Sequence, residues 1–350
     1  MAPLARLKAI SPIREFDLIR ALRQRHGAGG PLVLRGIGDD AAVIAPSKGL
    51  WQILTTDLLA EGVHFDLRTA TFSDIGFRAA AANLSDIAAM GGTPQYLLVA
   101  LAVPRTGTAG QVHRLYQGMM AACRPHKVRL IGGDTSASAG RWFVSVTLIG
   151  SVMPQHALLR SGAHPGDDLY VTGTIGDSLG GLELLRNLRP RSAALSLLPR
   201  QRQFLIRRHL HPTARVAEGQ WLSRHRWATS AIDISDGLSG DLRHICEESH
   251  VGADINLATL PISGPCRAYA KATGQNPIRL ALAGGEDYEL LFTVPSRHRA
   301  RFERMAIKHR LRATRIGTIR PGRSGIYSIS PDGRRRPLQI TSYEHFRSRT

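Results

Sequence analysis

Acidic side chains set beside glycine or hydroxyl residues recur six times along the chain. They read Gly36-Ile37-Gly38-Asp39-Asp40, Thr55-Thr56-Asp57, Asn83-Leu84-Ser85-Asp86, Gly132-Gly133-Asp134-Thr135, Asp233-Ile234-Ser235-Asp236-Gly237 and Gly284-Gly285-Glu286-Asp287. An aspartate at the end of an apolar strand has few partners unless something positive lies opposite it. Hard cations such as Mg²⁺ take oxygen ligands and are commonly shared with substrate phosphates. Taken singly, the motifs have plainer readings: Asp39-Asp40 as a turn or helix cap, Asp236 as a cap, Glu286-Asp287 as a turn. Asp86 stands apart, because with Asn83 it falls in a helix otherwise built of Ala, Leu, Ile and Met, where an unpaired acid is costly. Asp233 and Asp236 flank Ser235 where a strand enters a helix, whose free N–H groups and dipole suit phosphate. Gly132-Gly133 leaves open backbone for a ligand to approach Asp134. Capping explains six such acids poorly in a chain of formal net charge +19. As a set they point to phosphoryl transfer.

The elements that must position these groups are legible in outline. Trp51–Thr56 is an apolar strand delivering Asp57, and 72–90 an alanine-rich helix stopped by Gly91-Gly92. Tyr96–Val103 is a continuous apolar run closed by Pro104, as in a strand buried on both faces. A helix near 108–124 precedes strand Val128–Ile131, which ends in a Gly132-Gly133-Asp134 corner, and Trp142–Val152 is a further strand. Residues 14–26 read as an amphipathic helix with Phe16, Ile19 and Leu22 on one side. Prolines and glycines cluster at 151–165, which puts a boundary between residues 1–153 and 154–350. Beyond it come strand Leu169–Val171, the glycine loop 173–181, an arginine-rich helical segment at 186–215, strand Ala231–Ile234, helix Leu238–Glu248, strands Ala253–Leu257 and Glu289–Val294, and a basic helix from Arg297. The glycine loop lacks a GxxxxGK[ST] pattern and reads as a strand-to-helix turn. Strands and helices mixed through both halves indicate an α/β (α+β) chain of two domains.

Bulk properties narrow the class. The 350 residues, 43% hydrophobic, suffice for two cores. No apolar run approaches the roughly 20 residues of a membrane span, and Met1 to Arg14 lacks the apolar stretch of a secretory signal. Cys123, Cys246 and Cys266 have no CxxC spacing, as expected of reduced thiols in a cytoplasmic protein. Residues 186–226 carry a balance of +9 and 297–350 a balance of +12, leaving the remainder, with every acidic motif, at −2. The basic charge therefore lies away from the acidic motifs. On Arg297–Ala306 the arginines face opposite Phe302, Met305 and Ala306, a solvated helix surface. Nonspecific attraction to polyanions follows; a dedicated nucleic-acid function lacks any zinc-finger or aromatic motif.

In order and in wording the motifs resemble those of thiamine-monophosphate kinases. The resemblance rests on Gly36–Val43, Thr55-Thr56-Asp57 continuing to Glu61-Gly62-Val63-His64-Phe65, Asn83–Gly91, Gly132–Thr135, Thr172–Ser178, Ile232–Leu238 and Gly284–Leu290. It implies ATP-dependent phosphorylation of thiamine monophosphate to thiamine diphosphate, with several Mg²⁺ ions. It also implies the aminoimidazole-ribonucleotide-synthetase superfamily fold, whose N-terminal domains pair into a homodimer across a shared β-barrel, with ATP between the two halves of the chain. Carried over motif by motif, Asp40, Thr55, Thr56, Asp57, Asp86, Asp134, Asp233 and Asp236 look like Mg²⁺ ligands, with Asp57, Asp86, Asp134 and Asp236 central to catalysis. Tyr116, Gly133, Arg160 and Ser235 look like ATP contacts, and His64, Glu286 and Phe346 like substrate contacts. Thr135-Ser136 departs from a more usual Thr-Thr, and 186–226 is unusually rich in arginine.

The chemistry agrees with the residues. A phosphate nucleophile is already ionised at neutral pH, so no general base is needed. Relatives in the superfamily fit less well: no cysteine precedes Cys123 as a selenophosphate synthetase requires, and the chain ends Arg347-Ser348-Arg349-Thr350 rather than in the cysteine of a carbamoyl dehydratase. Aminoimidazole ribonucleotide synthetases match the motifs less closely. A basic RNA-associated protein with an inert version of the fold is the alternative of a different class.

Overall fold

The computed structural model describes residues 33–35, 39–45, 49–186, 197–322, 325–330 and 332–339. Two sheets organise them. The first has six strands, β1 (Val33–Arg35), β2 (Ala42–Ile44), β3 (Trp51–Ala60), β4 (Thr93–Pro104), β5 (Arg129–Ser138) and β6 (Phe143–Val152), in the order β1-β2-β3-β6-β4-β5. Its inner face is made by alternate residues such as Ile53, Leu97, Val99, Val144, Val146 and Leu148, all fully buried.

Helix α1 (Phe72–Ala89) covers that face, and α2 (Ala109–Cys123) lies against α1. Thr71 starts α1 through a reciprocal capping box with Asp74. The two helices approach closely because the contact is made by glycine: a Cβ on Gly76 or Gly118 would fall 1.9 Å from Leu115 O or 1.8 Å from Ser73 O. The alanine-rich α1 is thus shaped to be packed on several sides, and thirteen of its residues are buried.

The second sheet has the order β13-β12-β9-β11-β7-β10-β8. Its strands are β7 (Asp168–Thr172), β8 (Ser230–Asp233), β9 (Gly252–Asn256), β10 (Leu290–Val294), β11 (Ala313–Arg320), β12 (Ile326–Ile329) and β13 (Arg335–Pro337). Helices α3 (Asp177–Leu185), α4 (Pro199–Leu210), α5 (Val216–Arg224), α6 (Leu238–Ser249), α7 (Gly264–Thr273), α8 (Pro277–Ala283) and α9 (Arg299–Lys308) fill the intervals. One core continues from the first sheet through α1 into Tyr170, Ala231, Leu290, Phe292 and Phe302 of the second half. Through it α1 reaches β8, which sets Asp86 beside Asp233.

The mixed α/β content and most elements agree with the sequence reading, with two corrections. The apolar run of β4 is buried on one face only, and Tyr96 on the other is 42% exposed. Gly132-Gly133-Asp134 is no strand-end corner: β5 runs straight through it, parallel to β4, as the edge of the sheet. An edge strand tolerates the glycines because one side of its ladder is unpaired. The helix expected over 14–26 lies outside the described residues.

Several arginines of the basic segments reach buried acids. Arg208 and Arg215 meet Glu289, Arg299 and Arg315 meet Asp168, and Arg320 and Arg335 meet Asp254. All three acids are buried, so part of the positive charge neutralises the interior. Cys123, Cys246 and Cys266 are buried free thiols. Among the described residues no helix is long and apolar enough to cross a membrane.

Candidate active site

Asp40, Asp86 and Asp233 each offer a carboxylate oxygen within 4.8 Å of the other two. They come from three places: the turn before β2, the last turns of α1 and the end of β8. Ser85 donates to Asp233 Oδ2 at 2.7 Å and Thr55 Oγ1 donates to Asp86 Oδ2, so a hydroxyl of one motif orients the ligand oxygen of another. Asp57 joins them from the inner face of β3, and its Oδ2 is buried without a hydrogen-bond partner among the described residues. Arg160 holds Asp40 in a two-pronged contact, Nη2 to Oδ1 at 2.9 Å and Nε to Oδ2 at 3.2 Å, while its backbone amide donates to Asp39.

So many carboxylates together are electrostatically frustrated. Burial, followed by the charges of Asp57, Asp233 and Asp40, pushes Asp86 well above the usual carboxylate range. Burial and then Asp40 do the same to Asp233, and burial lifts Asp57 to about 6. Asp39 rises to about 7 through burial and then Asp40. Like charges in a protein interior that lack a counter-charge are what a bound divalent cation relieves. An orphaned carboxylate oxygen, a trio of oxygens at ligand spacing and an all-oxygen donor set fit Mg²⁺.

These shifts have a consequence for stability. A carboxyl whose folded pKa lies above its unfolded value binds more protons in the native state, so stability falls as pH rises from the unfolded pKa, near 4, through the folded one. The metal-free protein is therefore expected to lose stability from the cluster between about pH 4 and pH 7 or above. Mg²⁺ is expected to raise the thermal midpoint more at pH 8 than at pH 5. Differential scanning fluorimetry with and without Mg²⁺ checks this; an equal shift at both pH values would contradict it.

Beside the cluster, the loop Gly284–Tyr288 is laced to the loop after β8. Glu286 N donates to Ser235 O at 2.8 Å and Tyr288 N to Ile234 O at 2.9 Å. A Cβ on Gly285 would stand 2.4 Å from Ser235 O, so only glycine permits this approach. Glu286 and Tyr288 adopt φ of +60° and +52°, conformations other residues seldom hold without support. Asp287 supplies that support by accepting from Gly176 N at 2.5 Å and Ser178 N at 3.0 Å, the amides that open α3. The glycine loop 173–181 is accordingly a structural turn, as read from the sequence.

Glu286 pairs with the buried Arg78 of α1, which also donates to His64 O at 3.1 Å. Burial would raise the Glu286 carboxyl, but Arg78 holds it below its ordinary range. His64 Nδ1 accepts from Ala60 N at 3.0 Å, which leaves the Nε2 edge to carry the proton in the neutral ring. His209, 3% exposed, lies 3.5 Å from Glu286 and 3.0 Å from Ser178 Oγ. Burial, then Arg78, lowers its pKa to about 4, so its ring is neutral at pH 7.

Some expected ligands do not converge. Strand alternation turns Thr56 to the outer face of the first sheet, where it bonds Thr147 at 3.0 Å, opposite to Thr55 and Asp57. Asp134 aligns with Ala100, Ser145 and Leu58 on that same outer row. Three strand steps separate it from β3, about 14 Å at ~4.8 Å each. Gly133 lies on the same edge strand, and Tyr116 is half-buried on α2 with no hydrogen bond to the cluster among the described residues. At the start of α6 the Gly237 amide donates to Asp241 Oδ2 at 3.1 Å. Phe346 lies outside the described residues. Sequence reasoning missed Asp39 as a separate member, Asp241, Arg78 and His209. Arg78 could have been found by the argument used for Asp86, since it too is a charge in the apolar α1.

Residues 38–152 match the family of AIR synthase related proteins, N-terminal domain, and 164–329 its C-terminal domain. Thiamine-monophosphate kinase of Bacillus subtilis (strain 168) is 36% identical over 336 residues, 95% of this chain and 99% of that protein. The Escherichia coli (strain K12) enzyme of the same name is 38% identical over 333 residues, 95% and 98% of the two chains. Among solved structures, AaThiL complexed with AMPPCP and TMP superposes with a TM-score of 0.82 at 34% identity, covering 97% of this chain and all of that one. With near-complete coverage at this identity, the chain belongs to the thiamine-monophosphate kinase family.

Proposed function

We propose that this protein transfers the γ-phosphoryl group of ATP directly to the phosphate of thiamine monophosphate, giving thiamine diphosphate and ADP. The observation that carries the reading is the convergence of Asp40, Asp57, Asp86 and Asp233 with an orphaned carboxylate oxygen. Those four, with Thr55 and Asp236, are the residues that would hold Mg²⁺. Bound there, the metal supplies positive charge that offsets repulsion between two polyanions. Arg160 sits where it can exchange Asp40 for nucleotide phosphate, its planar fork suiting either. Ser235, in the loop laced to Glu286, and the α6 amide end face the phosphate side. His64 and Glu286, tied together by Arg78, form the acceptor side, with Phe346 as the expected ring against the thiamine. The acceptor phosphate is already ionised at neutral pH, so no side chain of the cluster has to take a proton from it. With ATP labelled at its γ-phosphorus, the label should pass wholly to thiamine diphosphate; label retained on a carboxyl of the protein would overturn direct transfer.

The remaining ligands favour a homodimer built on the outer face of the first sheet. Leu58, Tyr96 and Ile131 are 53%, 42% and 54% exposed there and on the edge strand, an apolar surface unusual for a free monomer. Asp134, Gly133 and Thr56 lie on or beside this surface, about 14 Å from Asp57 within one chain, so a second copy packed on it would complete the ligand set. Two variants, Asp57→Asn and Asp134→Asn, are each expected to be inactive, yet to recover about a quarter of wild-type activity when refolded together, since half the dimers would then carry one intact site in two. No recovery from a mixture that demonstrably exchanges subunits would contradict a shared site.

A further inference from the structure

Arg208 and Arg215 of the basic segments have carboxylate partners, but the exposed Arg310 and Arg312 beside them have none among the described residues. Among the described residues their guanidinium groups make no hydrogen bond or ion pair. They flank a cleft of about 330 Å³ whose other walls include Arg208, Arg215 and Thr174. Four arginines thus line one space, two of them held by Glu289 and two unpaired among the described residues, against a single carboxylate in its lining, Glu218, which Arg215 contacts at 3.2 Å. Glu289 lies behind the wall, fully buried, and takes Arg208 at 2.8 Å and Arg215 at 2.6 Å. The Arg208 Nε is buried without a hydrogen bond among the described residues and stands 3.7 Å from Asp177. Phe204, 38% exposed, adds an aromatic edge.

We propose that this cleft is a second anion site, distinct from the carboxylate cluster, that takes a diphosphate group. Guanidinium forks match phosphate oxygens in pairs, and four of them suit a group with two phosphates better than a monoanion. The volume admits a small molecule and no macromolecular segment of size. Free pyrophosphate and the diphosphate end of an organic molecule share this chemistry; Phe204 offers a ring contact only to the second.

The position gives the site a route to the acceptor loop. Arg208 also donates to Asp287 O and Thr174 O, both at 3.2 Å. A diphosphate drawing Arg208 and Arg215 toward the cleft competes with Glu289 and slackens the tether on Asp287, next to Glu286. Under the kinase reading, occupancy raises the KM for thiamine monophosphate and leaves kcat unchanged. The binding itself does not depend on that reading.

Calorimetric titration with inorganic pyrophosphate, in EDTA so that no metal brings phosphate to the carboxylate cluster, tests the site. Wild type is expected to bind saturably, and Arg310→Ala/Arg312→Ala about tenfold or more weakly, with unchanged kcat and KM when pyrophosphate is absent. Arg297→Ala/Arg304→Ala, which removes the same charge from exposed positions outside the cleft, should bind like wild type. No binding by wild type, or equal weakening in both double variants, would overturn the proposal. Thiamine diphosphate as a second titrant separates the sources: tighter binding that Phe204→Ala abolishes identifies an organic diphosphate, and binding equal to pyrophosphate identifies the free anion.

Discussion

Asp86→Asn is expected to lower kcat by about 1,000-fold, equivalent to ~4 kcal/mol of transition-state stabilisation, while making the metal-free protein more stable. Both effects follow from one geometry. Asp86 accepts from Thr55 but stands beside Asp40, Asp57 and Asp233, so in the absence of metal its charge is repelled from three sides. A neutral amide removes that repulsion but offers a single carbonyl oxygen as ligand, and the other amide group is a donor that a cation rejects. The signature is therefore opposed: a lost rate, a raised thermal midpoint at pH 8 without Mg²⁺, and a reduced increment when Mg²⁺ is added. A residue that merely capped or packed α1 would lose stability on substitution. Steady-state kinetics and thermal melts on the same preparations decide the matter, and a destabilised Asp86→Asn with near-normal kcat would place Asp86 outside the metal site.

The second large effect is expected at Arg78. Its side chain is 3% exposed and meets Glu286 and the His64 carbonyl at once, tying the first half of the chain to the acceptor loop of the second. Arg78→Ala leaves Glu286 without its cation in a confined position, which costs about 3 kcal/mol of stability. Without Arg78 the carboxyl also loses the charge that holds its pKa down. The acceptor pocket is thereby loosened while the Asp40–Asp86–Asp233 cluster is untouched. KM for thiamine monophosphate is expected to rise about 30-fold with kcat reduced less than about threefold, the pattern of lost ground-state positioning. Arg78→Lys should recover most of the KM, because an ammonium on a long stem still reaches Glu286, though without the second contact to His64. Unchanged KM in a folded Arg78→Ala protein would remove Arg78 and Glu286 from the acceptor side.

How far the sequence disclosed this architecture depends on the range of the interaction. Local chemistry was legible: the alanine-rich α1 with its stop at Gly91-Gly92, and acids placed at the ends of apolar strands. The union of Asp40, Asp86 and Asp233 was anticipated by their shared residue type and by family resemblance, but their actual proximity depends on α1 docking against β8, a contact across 148 positions between Ser85 and Asp233. Face assignment was harder. Thr55, Thr56 and Asp57 are consecutive, yet pleating sends Thr56 to the opposite side from its neighbours. The run through Gly132-Gly133-Asp134 looked like a corner because glycine marks both turns and edge strands, and only the pairing with β4 distinguishes them. Arg78 and His209 escaped because their partner, Glu286, is more than seventy residues from either.

The assignment of both site and activity rests on one chromatographic assay. Purified protein would be incubated with ATP, Mg²⁺ and thiamine monophosphate, with Asp57→Asn and Asp236→Asn variants and an EDTA control alongside. The expected result is thiamine diphosphate and ADP in equal amounts from wild type, and neither from the folded variants or with EDTA. Wild-type protein that is folded and binds ATP yet forms no thiamine diphosphate would contradict the account.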